Sequence, residues 1–214
     1  MCGIVGYIGF REAYPIVIKG LKRLEYRGYD SAGIMLYADN EIKIAKTKGK
    51  VSDLEEKSKA IASSKATIGM GHTRWATHGV PNDVNAHPHC SGDGSIALIH
   101  NGIIENFAEL KAELLEDGVT FASETDTEVA AHLVAKEYEA SGDLVEAFRQ
   151  VVRKLHGAFT ILVMHEDVPD LVLAARRNAP LVIGLGDGEN FLGSDVAAFV
   201  EHTKRAIAVG QDEI

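Results

Sequence analysis

The side chain best suited to chemistry in this sequence is the thiol of Cys2, which follows Met1 and begins a short apolar run bounded by glycines. A small residue in second position allows aminopeptidases to remove Met1, and Cys2 would then carry both a thiol and a free α-amine. With reference pKa values of about 8.5 and about 7.7 to 8.0, these groups form a nucleophile and a matched general base. The alternative interpretation is a buried cysteine that begins an ordinary core strand.

A terminal cysteine that attacks an amide also needs donors for an oxyanion and charged groups that hold its substrate. Asn101-Gly102 could direct a side-chain amide and a backbone N–H toward one point, although Asn-Gly is also a common turn pair. Arg74 could bind a carboxylate through two hydrogen bonds, or could be a solvated surface residue. Asp126 could pair with a substrate ammonium group, or could stabilise the dipole of a helix as an acid in its first turn.

The segment 72–95 has little periodicity and contains four histidines and the only tryptophan of the chain. We predict a long functional loop here. Trp75 could close over a pocket, or could anchor this loop in the core. The histidines lack the helical i, i+4 pairing or the Cys-x-x-Cys context that is typical of zinc sites, so we expect neither a metal nor a cofactor. These histidines are His72, His78, His87 and His89.

The composition limits the class of protein. The 214 residues, 46% of them hydrophobic, predict one domain with a real core over residues 1–214. A net charge of -9 argues against nucleic acid or an anionic membrane as the main partner. The two cysteines, Cys2 and Cys90, give no disulfide framework, and neither a secretion signal nor an apolar run of about 20 residues is visible. These features predict a cytoplasmic location.

The elements that must position these residues are mainly strands in the first half of the chain. After an opening strand we predict a helix over 12–24, strands over 31–37 and 41–44 joined by a turn at 39–40, and a strand over 68–71. A capping box of Ser52 and Glu55 predicts a modest helix that ends near residue 62. A buried strand over 95–100 is expected to end at Asn101-Gly102.

Helices dominate the middle of the chain and strands return at its end. Three N-caps, each followed by an acid at the third helical position, predict three helices: Asn106 with Glu109, Thr125 with Glu128, and Asp143 with Glu146. The third helix is expected to end at Gly157, and strands are expected over 159–164, 171–175, 181–183 and 206–209. The glycine-rich segment 184–188 is a weak phosphate or dinucleotide candidate. This order predicts an α+β fold of two mainly antiparallel sheets flanked by helices.

Six segments carry a family resemblance when they are taken in order: 2–6 (CGIVG), 24–33 (LEYRGYDSAG), 72–79 (HTRWATHG), 85–89 (NAHPH), 100–106 (HNGIIEN) and 123–128 (SETDTE). Together they closely resemble the glutaminase domain of the glutamine:fructose-6-phosphate amidotransferase family, which belongs to the class II glutamine amidotransferases. The resemblance covers essentially the whole chain. Segments 26–33 and 72–79 are more similar to this family than to the phosphoribosyl or asparagine amidotransferases.

The resemblance implies an N-terminal-nucleophile hydrolase fold, which is a four-layer αββα sandwich, and hydrolysis of L-glutamine through a thioester on Cys2. By similarity, the α-amine of Cys2 relays the proton to the leaving ammonia. Asn101 and Gly102 hold the oxyanion, while Arg27 and Gly28 support the N-terminal amine. The substrate residues implied by the resemblance are Arg74 for the α-carboxylate, Asp126 for the α-ammonium, Thr77, His78 and His87 along the pocket, and Trp75 in a closing loop.

In full-length enzymes of this family a sugar-phosphate isomerase domain uses the ammonia to convert fructose 6-phosphate to glucosamine 6-phosphate. That domain is absent from these 214 residues. We therefore expect glutamine hydrolysis alone, with fructose 6-phosphate engaged only through the isomerase domain, and a homodimer is a possible assembly. A form that retains Met1 is expected to be inactive, because its amine would be blocked.

Three alternatives stay open. The domain could belong to another class II amidotransferase, or it could be a non-catalytic module that senses glutamine through Arg74 and Asp126. A transition-metal protein built on the loop histidines is the third alternative. It predicts metal in the purified protein and loss of activity with chelators.

Overall fold

An apolar strand begins directly after Cys2. The structure, a computed structural model, describes residues 2–214, so the predicted removal of Met1 concerns a residue outside the described ones. In chain order the elements are β1 (Gly3–Ile8), α1 (Ala13–Leu24), β2 (Ser31–Ala38), β3 (Glu41–Lys48), α2 (Val51–Lys57), α3 (Lys59–Ala62), β4 (Ile68–Arg74), β5 (His89–Cys90), β6 (Ile96–Ile104), α4 (Phe107–Glu116), α5 (Asp126–Ser141), α6 (Leu144–Lys154), β7 (Gly157–His165), β8 (Leu173–Arg177), β9 (Val182–Leu185), β10 (Asn190–Gly193) and β11 (Ala206–Ala208).

The strands form two sheets in which neighbouring strands are antiparallel. The first sheet has seven strands in the order β11-β9-β10-β1-β4-β2-β3, and the second has four in the order β5-β6-β7-β8. The strand β1 therefore lies inside the first sheet, where it pairs with β10 on one side and with β4 on the other. This arrangement carries Cys2 to the same end of the sheet as the end of β4.

Three apolar clusters divide the molecule into four layers. Helices α1 and α2 pack on the outer face of the first sheet, and α4, α5 and α6 pack on the outer face of the second. Successive side chains of β1 point to opposite faces of the first sheet. Val5 and Tyr7 belong to the cluster with α1, whereas Ile4 belongs to the layer between the sheets. Ile99 and Leu162 cover that layer from the second sheet. The predicted αββα sandwich of antiparallel sheets is confirmed.

Several local predictions are confirmed with their physical causes. Helix α1 tolerates Pro15 because this residue lies in the first turn, where an N–H would have no helical partner. The β2–β3 hairpin turns at Asp39 and Asn40, whose φ values of 57° and 62° are typical of a type I′ turn. Thr125 and Asp143 cap α5 and α6 through their side-chain oxygens.

Two strands extend beyond their predicted ends. Strand β4 runs to Arg74, so the long loop begins at Trp75, and a short strand, His89–Cys90, interrupts its end. Strand β6 does not stop at Asn101-Gly102 but continues to Ile104. It continues because Asn101 and Gly102 pair with residues 160 and 159 of β7, a partner more than fifty residues away that the local turn signal does not contain.

Other boundary predictions are wrong as well. Helix α2 begins at Val51. The capping side chain is that of Asp53 rather than Ser52, because the Asp53 carboxylate accepts the N–H of Lys50 at 2.8 Å. The predicted start of α4 after its N-cap Asn106 is confirmed, but the Asn106 side chain makes no cap bond, because it bonds the backbone at 154 and 156. Gly157 begins β7, since α6 already ends at Lys154.

The glycine-rich segment 184–188 joins two antiparallel strands, one of which, β10, was not predicted. A phosphate-binding turn leads from a strand into a helix N-terminus, and this hairpin lacks that geometry. Within residues 2–214, no helix has both the length and the apolar character that a membrane crossing requires.

Candidate active site

The thiol of Cys2 lies against the first residue of the loop. The backbone N–H of Trp75 donates to Cys2 Sγ over 3.1 Å. Burial raises the pKa of the Cys2 thiol, and the hydrogen bond from Trp75 opposes this shift without overcoming it. The thiol is therefore mostly protonated near neutral pH, and a nucleophilic attack by this sulfur needs a base.

Two side chains hold the carbonyl oxygen of Cys2. Asn101 Nδ2 donates to it over 3.1 Å and Arg27 Nε over 3.2 Å. Arg27 also lies 3.6 Å from a carboxylate oxygen of Asp195. These bonds fix the backbone of the terminal cysteine from two directions.

Hydroxyl groups anchor the next two peptides. Thr73 Oγ1 accepts the N–H of Gly3 at 3.1 Å, and Ser194 Oγ accepts the N–H of Ile4 at 3.0 Å. Neither hydroxyl was predicted from the sequence, because Thr73 lies on β4 and Ser194 directly follows β10, and these strands neighbour β1 only in the folded sheet.

Arg74 lies at the end of β4 and is only 3% exposed. Its Nη2 donates to the carbonyl oxygens of His78 and Gly79, the second at 3.1 Å. Its Nη1 is buried and has no hydrogen-bond partner among the described residues. A buried guanidinium with a donor left over is a group that an anion would satisfy.

Asp126 is the first residue of α5 and is also buried. Its Oδ2 accepts the backbone N–H of Ile104 at 2.8 Å and lies 3.9 Å from His100 Nδ1. The carboxylate therefore holds the end of β6 while it borders the same cavity as Arg74. One cation and one anion thus flank the space beside Cys2.

That space is a narrow cavity of about 20 Å³, little more than the roughly 10–15 Å³ that one water molecule requires. Two further buried nitrogens without a hydrogen-bond partner in residues 2–214 belong to histidines along its wall, namely His78 Nδ1 and His100 Nε2. Its lining comprises Cys2, Arg74, Trp75, Thr77, His78, His87, His100, Gly102, Thr125, Asp126 and Thr127.

Trp75 covers the cavity with its side chain 55% exposed, which excludes the alternative of a core anchor. Its ring lies over Gly28, where an added Cβ would come within 2.7 Å of the ring. Gly28 also has a φ of +106°, a conformation that other residues rarely adopt. The glycine at position 28 is thus what allows the indole to lie here.

The loop that carries Trp75 is tied down at both ends. At its start, the carboxylate of Asp30 accepts the N–H of Ala76. Further along, Asn85 Nδ2 donates to Glu124 Oε2 and Asn85 Oδ1 accepts the N–H of Glu124, both over 3.0 Å. The loop is therefore fastened to the segment that begins α5.

The histidines pack on one another. The rings of His72 and His87 are stacked with centroids 4.0 Å apart, and His89 meets His87 edge-on at 4.9 Å. Burial lowers the pKa of His72 and of His89 to about 3 and that of His87 well below its ordinary value, so all three rings are neutral. In the described part of the chain, no three His, Cys, Asp or Glu side chains are grouped to hold a metal ion.

Comparison with known proteins identifies the family. Residues 58–214 match the family described as "Glutamine amidotransferase domain". The chain belongs to this family. The full chain is 60% identical to glutamine--fructose-6-phosphate aminotransferase [isomerizing] of Leifsonia xyli and 56% identical to the enzyme of the same name from Streptomyces coelicolor. It spans 35% of the length of each of these relatives.

Solved structures give the same family at lower identity. Glutamine phosphoribosylpyrophosphate amidotransferase from B. subtilis superposes with a TM-score of 0.82 at 29% identity, over 98% of this chain and 46% of that one. A structure described as the allosteric regulatory enzyme of purine biosynthesis gives 0.84 at the same identity, over 98% of this chain and 45% of that one. The family and the fold that the six segments indicated are confirmed.

In this amidotransferase domain, eight of the eleven predicted site residues line one cavity, and the other three contact its members. Asn101 and Arg27 bond the carbonyl of Cys2, and Gly28 lies beneath Trp75. Three lining residues were not predicted from the sequence, namely His100, Thr125 and Thr127. Each lies inside a segment that carried the resemblance, but only the orientation of β6 and α5 turns its side chain to the cavity.

Proposed function

We propose that this chain hydrolyses the side-chain amide of L-glutamine to glutamate and ammonia, with Cys2 as the nucleophile. One observation carries the proposal: Cys2, Arg74 and Asp126 line one cavity, and Nη1 of the buried Arg74 has no hydrogen-bond partner among the described residues. An α-amino acid is a zwitterion, so it needs one anchoring cation and one anchoring anion. Arg74 would bind the α-carboxylate and Asp126 the α-ammonium.

The remaining pocket residues would give the substrate its position. Thr77, His78 and His87 line the cavity beside Arg74, and His78 Nδ1, which has no hydrogen-bond partner within residues 2–214, offers a polar contact. Trp75 would act as the closing element that excludes water from the thioester. With the α-carbon groups held at one end, the side-chain amide would reach the thiol at the other.

The chemistry would begin from Cys2 without Met1. The free α-amine takes the thiol proton as the sulfur attacks the amide carbon, and the carbonyl oxygen becomes an oxyanion that Asn101 and Gly102 stabilise. The amine then gives the proton to the leaving nitrogen, so the C–N bond breaks and ammonia departs from a γ-glutamyl thioester. Water, deprotonated by the same amine, attacks the thioester and releases glutamate and the thiol. Arg27 and Gly28 would support the amine through their contacts at Cys2 and Trp75.

The curated relatives, of whose length this chain spans 35%, support a proposal about the use of the ammonia. We propose that the ammonia feeds the conversion of fructose 6-phosphate to glucosamine 6-phosphate through an isomerase domain. We also propose a cytoplasmic location, a single domain over residues 1–214 and a homodimer as a possible assembly.

The decisive experiment measures ammonia release from glutamine by protein that lacks Met1, with Cys2→Ala as the test variant and Cys90→Ser as the matched control. We expect C2A to abolish turnover while glutamine binding, followed by calorimetry, persists, and we expect C90S to keep both. A thiol-directed glutamine analogue should attach at Cys2, as read by peptide mass. Binding without turnover in the unsubstituted protein would refute the enzyme and support a glutamine sensor.

A further inference from the structure

We propose that His72 is a positioning residue for Asn101, which it holds with the amide nitrogen facing Cys2 and the site of the oxyanion. This inference rests on the proposed glutaminase function and deepens it. His72 lies on β4 of the first sheet, whereas Asn101 lies on β6 of the second. Their side chains meet across the sandwich, with His72 Nε2 2.8 Å from Asn101 Oδ1.

The orientation of the Asn101 amide follows from its other partner. A carbonyl oxygen only accepts hydrogen bonds, so the amide group that faces the carbonyl of Cys2 at 3.1 Å must be the NH₂. The amide oxygen then faces His72 and also can only accept. His72 must therefore carry its proton on Nε2 and donate it.

This assignment also accounts for the second nitrogen of His72. A neutral imidazole has one N–H, and with the proton on Nε2 its Nδ1 is a bare acceptor. That Nδ1 is buried and has no hydrogen-bond partner among the described residues. Burial lowers the pKa of His72 to about 3, so the ring is neutral near pH 7 and the imidazolium, which would carry a proton on both nitrogens, is not formed.

The ring itself is held in place. His72 is 1% exposed and is stacked on His87 with only 11° between the ring planes. A fixed donor of this kind prevents the amide from turning by 180°, a rotation that would place its oxygen toward the developing negative charge. The NH₂ has two hydrogens, one of which bonds the Cys2 carbonyl, and the other is left for the oxyanion.

The test is a double-mutant cycle on the glutaminase reaction of Met1-free protein, with His72→Phe, His72→Gln and Asn101→Ala. Removal of one oxyanion donor costs about 10²–10³ in kcat, so we expect N101A to lose that factor. We expect H72F to lower kcat at least about tenfold with KM changed less than about threefold, and H72Q to recover part of the loss, because its amide can donate. In the N101A background, H72F should lower kcat by less than about twofold further.

A second measurement needs no variant of His72. Nitrogen-15 NMR of the imidazoles in the unsubstituted protein should show His72 protonated on Nε2 and bare on Nδ1 at neutral pH. The opposite tautomer would overturn the inference, as would equal losses from H72F with and without Asn101, or a change in KM alone. Absence of ammonia release from the unsubstituted protein would instead overturn the proposed function, so the two failures are distinguishable.

Discussion

At the scale of single residues, burial decides which groups are charged before the substrate arrives. Neutral rings at His72 and His87 lie beside Arg74, which keeps a buried guanidinium nitrogen without a partner in the described structure. A neutral histidine stack adds no repulsive charge near this guanidinium. The positive charge of the pocket is therefore concentrated where the α-carboxylate of glutamine would bind.

The Cys2 thiol allows a direct pH test of this view. Because burial raises its pKa above the reference of about 8.5, the reactive thiolate is scarce at pH 7 and increases with pH. We expect alkylation of Cys2 by iodoacetamide to accelerate about tenfold per pH unit from pH 7 to beyond pH 8.5, as measured by peptide mass.

The C90S variant is the appropriate background for this experiment, although burial raises the pKa of Cys90 to about 11 and makes that thiol a slow competitor. A plateau in the alkylation rate below pH 7 would contradict the expectation. It would mean that the resting site already stabilises the thiolate and needs no base for the attack.

At the scale of elements, the sequence predicts those helix and strand ends that are stabilised by residues close by in the chain. The helix starts at Thr125 and Asp143 are predictable because the capping oxygen and the N–H that it bonds lie within three residues. The continuation of β6 through Asn101-Gly102 is not predictable in this way, because β7 supplies the pairing. The chemical types of Arg74 and Asp126 suggested a zwitterion site, but their distance from Cys2 depends on the sheet.

The contact between β2 and the end of the loop is a further non-local feature. An added Cβ at Gly33 would lie 1.8 Å from the carbonyl oxygen of His87. We expect Gly33→Ala to lower the free energy of unfolding by about 1–3 kcal/mol and to raise KM for glutamine, because His87 lines the cavity and would be displaced. Urea unfolding and glutaminase kinetics measure the two effects.

Gly92→Ala is the matched control, since the nearest atom to its added Cβ is 3.5 Å away, an ordinary contact. It should change the free energy of unfolding by less than about 1 kcal/mol and leave KM unchanged. Equal behaviour of G33A and G92A would show that the loop is not held against β2.

At the scale of the whole molecule, the proposed site depends on both sheets. Cys2 and Arg74 lie at the ends of β1 and β4 in the first sheet, and Asn101 belongs to the second. The apolar layer between the sheets keeps Asn101 within hydrogen-bond distance of Cys2. Within that layer Leu162 of β7 approaches Gly6 so closely that a Cβ there would lie 2.9 Å from its Cδ2.

Because the two sheets share this layer, we expect residues 2–214 to unfold as one cooperative unit. Leu162→Ala should cost about 2–5 kcal/mol of unfolding free energy, and native-state hydrogen exchange should show the same loss at the most protected amides of both sheets. Leu115→Ala, at a position 54% exposed, should stay within about 0.5 kcal/mol. A loss restricted to amides of β6 and β7 would mean that the second sheet opens independently. In that case Asn101 could separate from Cys2 while the first sheet stays folded, and the oxyanion donors would be a separately unfolding part of the proposed site.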